Sequence, residues 1–558
     1  MAQNKKRYIT IIAISIVLTL IVVHKVYAQY ILTREFTIEM TTTPFNVEVA
    51  SKQIDVYNFG IDKNKITTTV TNNNTYQIEG NVSINGKTLK NFTLEPGTSQ
   101  EINDLNVTEE TISGLSAGLH DISVNITKPY SSTINNVKLN LVGTFTNNEK
   151  YGVKVTGTDE DPYSIYAVED LIRFAQKVNA GTNYQGKTVT QLRSIDFLND
   201  EHYYDPKDTS FGDLNNSPDD NTLKTEMRMG SGFMGIGISI DGGTEEKAFS
   251  GKYDGRNNEI SSIHVNSKVE KKRCGFFNCI DGATIQNFGI SGKMYVQGDT
   301  GGLVAAAKNT CIIKNCYNKT NITATEAGYS LSGILGTAMQ NSNITILDCY
   351  NSGIITSSSS ATGIIGFVWQ SKVYPARCYN SGEIRSTGAP SNWAAAAGII
   401  ARDNAAGDIT ISKCYNSGTI RGARNTGGIL GMTQGKLELI ESYNIGEIIG
   451  TENNTGGLIG RQNSSVSTTI GQCYSAGKIT GIETTKGGVI GLRENNISGA
   501  IVTQTYYLAD IAPRAMSNYP DIYPDMRRTD LTSPEFLNLI GKAFKYNSAG
   551  YPLLNWQQ

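Results

Sequence analysis

Two tryptophans, a file of cysteines and a few scattered acids are the residues here whose chemistry could exceed packing. Trp369 and Trp393 fall in irregular stretches, Trp393 inside the loop Arg385–Ala397. Indole rings on the outside of a fold stack on sugars or anchor a protein partner. The competing reading is that they cover apolar edges. Trp369 and Trp393 are therefore the candidate ligand-binding residues, expected on one face. The 8 cysteines lie between Cys274 and Cys473, five of them in one recurring slot: Cys316, Cys349, Cys378, Cys414 and Cys473. Disulfides, a metal stack and a redox site compete with a plain reading, in which Cys is a small apolar residue in a tight interior position. Ser442 fills the same slot in one repeat, which shape tolerates and ligand chemistry would not. The pairs Cys274/Cys279 and Cys311/Cys316 are spaced too loosely for a zinc pair.

Hydrolysis of a glycosidic bond needs two carboxylates a few ångströms apart. Glu383 and Glu447 share a repeat position, but Ile354, Thr419 and Lys478 occupy it elsewhere, as in an ordinary exposed strand. The histidines are His24, His120, His202 and His264, and no Ser-His-Asp arrangement or His-Glu-x-x-His motif forms around them. Asp205, Asp208, Asp213, Asp219 and Asp220 could hold calcium on a flexible loop, although their spacing fits no regular ligand pattern. No catalytic residue, metal ligand or cofactor-binding residue is assigned.

What positions these residues is a repeat. Gly, two apolar residues, then Gly or Ala begins at Gly302, Gly333, Gly363, Gly398, Gly428, Gly457 and Gly488. A second word, Cys-Tyr-Asn-x-Gly-x-Ile, starts at the cysteine slot with steps of 33, 29, 36, 28 and 31 residues. Its last residue is Ile322, Ile355, Ile384, Ile420, Ile448 and Ile479. Spacing inside the words is rigid, whereas the gap from Ile to the next Gly varies from 8 to 14. Rigid coils with variable loops describe a parallel β-helix, each coil pairing on the last at about 4.8 Å. Each Ile then stacks on the Ile below, and Asn318, Asn351, Asn380, Asn416 and Asn444 form a hydrogen-bonded ladder.

Ahead of the array, Val168, Leu171, Ile172, Ala175 and Val178 mark one helical face, with Gly181 as the stop. Such a helix covers the open end of a solenoid core. From Phe36 to Val142 the pattern alternates in period two, and Asn85-Gly86 is a tight hairpin signal. About seven strands in roughly 100 residues predict an immunoglobulin-like sandwich. His120 is read as a corner residue bonded to backbone, and Thr144 to Pro162 as a polar linker. At the N-terminus, Lys5, Lys6 and Arg7 precede the apolar run Tyr8 to Val23. An uncleaved membrane anchor is expected, with the bulk of the chain outside the cell. The alternative is a signal peptide cut after Val26-Tyr27-Ala28, giving a secreted protein.

Composition narrows the rest. A formal charge of −2 gives no electrostatic basis for nucleic-acid binding. The 57 glycines, without a Gly-x-y period and with 39% apolar residues, suit an all-β chain and exclude collagen.

The words Gly427-Gly428-Ile429-Leu430-Gly431, Gly456-Gly457-Leu458-Ile459-Gly460 and Cys414-Tyr415-Asn416-Ser417-Gly418 resemble the GLUG repeat family of bacterial surface proteins. The approach Ala167-Val168-Glu169-Asp170-Leu171 and the ending Gly550-Tyr551-Pro552-Leu553-Leu554-Asn555-Trp556 are similar to the flanks of such arrays. The resemblance spans about residues 150–558. It implies an extracellular right-handed β-helix, often in adhesin-like proteins, and it is unspecific for activity.

The expected layout is residues 1–30 as basic tip plus anchor or signal peptide, and 36–143 as sandwich. Residues 150–510 are the β-helix with its capping helix, and 511–558 a C-terminal cap. The expected function is a membrane-tethered or secreted surface protein presenting loops for adhesion to a host or cell-surface glycan or protein. The alternative is a carbohydrate-active β-helix enzyme, a polysaccharide lyase or hydrolase.

Overall fold

The computed structural model describes residues 45–197, 233–243, 246–267, 271–324, 329–387, 393–463, 467–494, 500–518 and 524–557. The N-terminal apolar run and the aspartates of 200–229 lie outside the described residues. No helix among the described residues is long and apolar enough to cross a membrane.

The N-terminal domain is built of two sheets. Its strands are β1 (Val47–Val49), β2 (Lys52–Val56), β3 (Thr68–Asn72), β4 (Ile78–Ile84), β5 (Lys87–Leu94), β6 (Ser99–Ile102), β7 (Gly118–Lys128) and β8 (Ser132–Leu141). One sheet has the order β1-β3-β6 and the other β2-β8-β7-β4-β5. All pairs are antiparallel except β2 with β8. Alternating residues such as Val70, Val82, Val124 and Leu139 fill the core between the sheets. Asn85 and Gly86 both take positive φ, 48° and 75°, as the hairpin requires. The His120 Nε2 lies 2.7 Å from the Ser116 carbonyl oxygen, the corner bond expected of it.

The stretch read as a linker is instead a joint. Phe145–Tyr151 is a helix whose Phe145 enters the solenoid core while Tyr151 enters the sandwich core. Asn147 ties it down by donating to the Val56 and Val142 carbonyls and accepting from the Phe59 N–H. Across the junction, Asn58 donates to Glu169, and the Tyr57 and Tyr166 rings stack at 3.9 Å. The capping helix is Val168–Asn179, with its apolar face fully buried on the first coils and Gly181 at φ 108° behind it.

Beyond it winds a parallel β-solenoid of about eight turns. One face is an eight-stranded parallel sheet: Phe277–Asp281, Val304–Lys308, Leu335–Ala338, Ile365–Val368, Ile400–Asp403, Leu430–Thr433, Ile459–Gln462 and Ile490–Arg493. The remaining strands stack coil on coil in a second continuous parallel sheet. The isoleucines pair in register from Ile322 through Ile355, Ile384, Ile420 and Ile448 to Ile479, all buried. Beside them each Asn side chain donates one amide hydrogen to the next Asn, at 2.8 Å from Asn318 through to Asn444. The other hydrogen goes to the carbonyl two residues on. Buried amides this polar are tolerable only when every group is paired, and here the ladder pairs them.

The tyrosines of the second word form an outer ladder. Tyr317, Tyr350, Tyr379, Tyr415, Tyr443 and Tyr474 stack with centroids 4.8–5.1 Å apart. Gly289 holds the preceding register position, and a Cβ there would stand 2.0 Å from the Tyr317 ring. The C-terminal residues do two jobs where one cap was expected. Ile511, Ala512, Ala515, Met516 and Met526 close the end of the solenoid core. Leu531, Phe536, Ile540, Phe544 and Leu554 turn back along the flank and bury Tyr443 and Tyr474.

Candidate functional site

The eight-stranded sheet is where the repeat stops repeating. In each first word the two apolar residues, for example Ile364 and Ile365, enter the core. The glycine or alanine that follows lies tight against the coil before it; a Cβ on Gly366 would be 2.6 Å from the Gly336 carbonyl oxygen. One residue further the constraint ends. There Ala306, Thr337, Phe367, Arg402, Met432, Arg461 and Leu492 pair in register across seven strands. This position changes type from coil to coil, as does the next along the strand, which holds Ala307, Ala338, Val368, Asp403, Thr433, Gln462 and Arg493. Within the row Ala306, Thr337 and Met432 are buried, while Phe367, Arg402, Arg461 and Leu492 are half-buried.

Among the described residues, Arg402 differs from its neighbours in having no carboxylate partner. Its guanidinium lies 4.2 Å above the Phe367 ring, a cation–π contact, and its buried Nε has no hydrogen-bond partner, a feature it shares with the Nε of Arg273 and Arg461. Nearby arginines are matched: Arg461 with Glu494, Arg424 with Glu452 and Arg273 with Asp241. No carboxylate among the described residues reaches Arg402 at salt-bridge distance. Asp299 and Asp403 act on it only from further away, and burial pulls its pKa down. Both acids are engaged elsewhere. Asp299 accepts from the Ser330 N–H at 2.7 Å and the Thr337 hydroxyl at 3.4 Å. Asp403 accepts from Gln434 N at 2.6 Å, Gly435 N at 2.9 Å and Thr433 Oγ1 at 3.3 Å. Burial pushes both carboxyls up, Asp403 to about 7.

The tryptophans lie next to strands of these coils in the sequence. Trp369 follows the strand Ile365–Val368, two residues beyond Phe367, where it is half-buried and its N–H bonds the Ala338 carbonyl at 2.9 Å. Trp393 is 47% exposed in the arm leading into Ala396–Ala397. Ala395 of that arm packs on Ala401 and Met432, which flank Arg402 in sequence and in register. Phe367 and Arg402 were absent from the sequence reading. The signal in the sequence was faint: this position holds Ala, Thr, Phe, Arg, Met, Arg and Leu, but the next one varies as much.

The other candidates are already engaged. Arg385 clasps Glu383 at 2.6 and 2.7 Å and holds its carboxyl below the usual range, while Lys478 sits 3.4 Å from Glu447. All eight cysteines are buried and free, and the slot thiols bond backbone carbonyls, as Cys378 does to Ala376 at 3.3 Å. No cluster of His, Cys, Asp and Glu fit to hold a metal occurs among the described residues. A separate polar cleft of about 810 Å³ in the N-terminal domain is lined by Lys63, Asp104, Glu109, Lys150 and Tyr151 among others.

Fold and site together define a parallel β-solenoid with a two-sheet β domain joined to its N-terminal end and a non-repeating outer face. No family model matches the chain, and no curated protein matches it. A crystal structure described as a putative immunoglobulin A1 protease from Bacteroides ovatus is similar at 15% identity, covering 73% of this chain and 95% of that one, with a TM-score of 0.37. Likeness at that score carries no argument about activity.

Proposed function

We propose that this chain is a bacterial surface protein, tethered by its N-terminal segment or secreted, whose right-handed β-helix binds a ligand for adhesion. In this reading it is a GLUG-type array. The immunoglobulin-like domain is a spacer, and the helix Phe145–Tyr151 makes that spacer rigid. The observation that carries the reading is the pair Phe367–Arg402, half-buried neighbours that break an otherwise regular solenoid. Evolution of binding on a fixed scaffold concentrates in positions the fold leaves free.

A glycan and host-matrix binding screen on the full chain tests it. Binding that falls in the Trp369→Ala/Trp393→Ala double variant supports the reading; unchanged binding removes the tryptophans from the site. Incubation with polysaccharides, followed by assay for new reducing ends or unsaturated products, separates binding from catalysis. N-terminal sequencing of the mature protein decides tether from secretion, since a start at Gln29 rules out the anchor.

A further inference from the structure

We infer that the ligand of this face is an acidic glycan, with a sugar carboxylate seated on Arg402 beside Phe367. The inference rests on the adhesion reading above and names its ligand class. The Arg402 guanidinium lies on an aromatic ring and has no carboxylate at salt-bridge distance among the described residues. A carboxylate meets the terminal nitrogens of a guanidinium in a planar, two-pronged match. The protein's own acids do not fill this place: Asp299 is held by Ser330 and Thr337, and Asp403 by the turn Thr433–Gly435.

The surroundings favour a sugar over a peptide. Extended peptides bind by adding to a free strand edge, and helices by filling an apolar groove. The strands Ile365–Val368, Ile400–Asp403 and Leu430–Thr433 are each paired on both sides. The face offers the Phe367 ring with the Arg402 cation upon it, which suits the flat apolar side and charged rim of a carboxylated pyranose.

The test measures binding of the full chain to polygalacturonate, alginate, hyaluronan and sialyllactose, to their methyl esters, to neutral glycans and to polyglutamate. The expected result is binding to at least one carboxylated glycan. That binding should weaken about ten-fold or more on esterification and in Arg402→Gln, persist in part in Arg402→Lys, and stay unchanged in Arg385→Gln. The esterified ligand removes the same contact without altering the protein, so it decides the matter even if Arg402→Gln folds poorly. Binding indifferent to both changes overturns the inference, as does preference for polyglutamate. Binding confined to neutral glycans or matrix proteins overturns it and leaves adhesion standing. Failure to bind any glycan or matrix component sinks both.

Discussion

Gly363 lies directly against Asn380: a Cβ on the glycine would stand 2.7 Å from both the Cβ and the Oδ1 of the asparagine. The same apposition joins Gly333 to Asn351, Gly398 to Asn416 and Gly428 to Asn444. The two words of the repeat are thus one device, the first kept bare so that the second can place its amide in the ladder. Gly363→Ala should lower stability by roughly 1–3 kcal/mol through overpacking. Asn380→Ala should cost about as much or more, because it leaves the Asn351 amide and the Gly382 carbonyl without their partner. Thermal melts of both variants check this, and an unchanged midpoint for Gly363→Ala would defeat the account.

The cysteine slot should accept serine. Ser442 already bonds the Ile440 carbonyl at 2.8 Å, in the geometry Cys378 uses toward Ala376. Cys378→Ser is expected to shift stability by no more than about 1 kcal/mol, since it keeps the bond and most of the volume. Thiol titration of the denatured protein without reductant should return all 8. A count well below that would mean disulfides within the stack.

Removing residues 531–558 should uncover the C-terminal half of the tyrosine ladder. Burial pushes the Tyr443 and Tyr474 phenols up, and both touch the returning segment, at Gln557 and at the Pro552 carbonyl. The truncated chain should ionise more tyrosine near pH 10 in an ultraviolet titration and melt at lower temperature. Identical titration curves would show that the segment does not shield them.

Stability should fall as pH rises from about 4 to about 7. Burial raises Asp403 to about 7 and Glu169 to about 7, so within this window the folded chain keeps protons that the unfolded chain releases. The stabilisation is complete below the ordinary carboxyl range and lost once the folded groups ionise. Asp403→Asn should flatten part of the slope, leaving the share due to Glu169. Chemical unfolding at pH 5 and pH 7.5 reads the difference; a slope unchanged in the variant would reject Asp403 as a contributor.

The coil architecture was legible because its cause is local and repeated: Ile355 and Ile384 hold equivalent places in equivalent words, so stacking one fixes all. The capping helix was legible for the same kind of reason, a single apolar face ending at Gly181. The joint at Phe145 and Asn147 was not. Those residues are buried by strands some 90 positions away in the chain, and a stretch rich in Asn and Thr reads as solvent-facing until its partners are known. Nor does the sequence announce that Leu531 to Leu554 turn back along the flank, since the surface they cover exists only after the tyrosines have stacked. Arg402 escaped notice because an unmatched charge is defined by which acids fail to reach it, and three coils separate it from Asp299. The tryptophans were visible as types, while the contact of Phe367 with Arg402 depends on the register of neighbouring coils.

Because every coil repeats the same contacts with the next, a coil is also a unit of inheritance. Duplicating the span between two equivalent cysteines, such as Cys316 and Cys349, would add one rung to each ladder and break none. Each such event lengthens the rod by about 4.8 Å. It carries the Arg402 face that much further from the N-terminal domain without altering a residue of it. Reach and recognition can therefore change independently, one by copy number and the other by substitution at a single row.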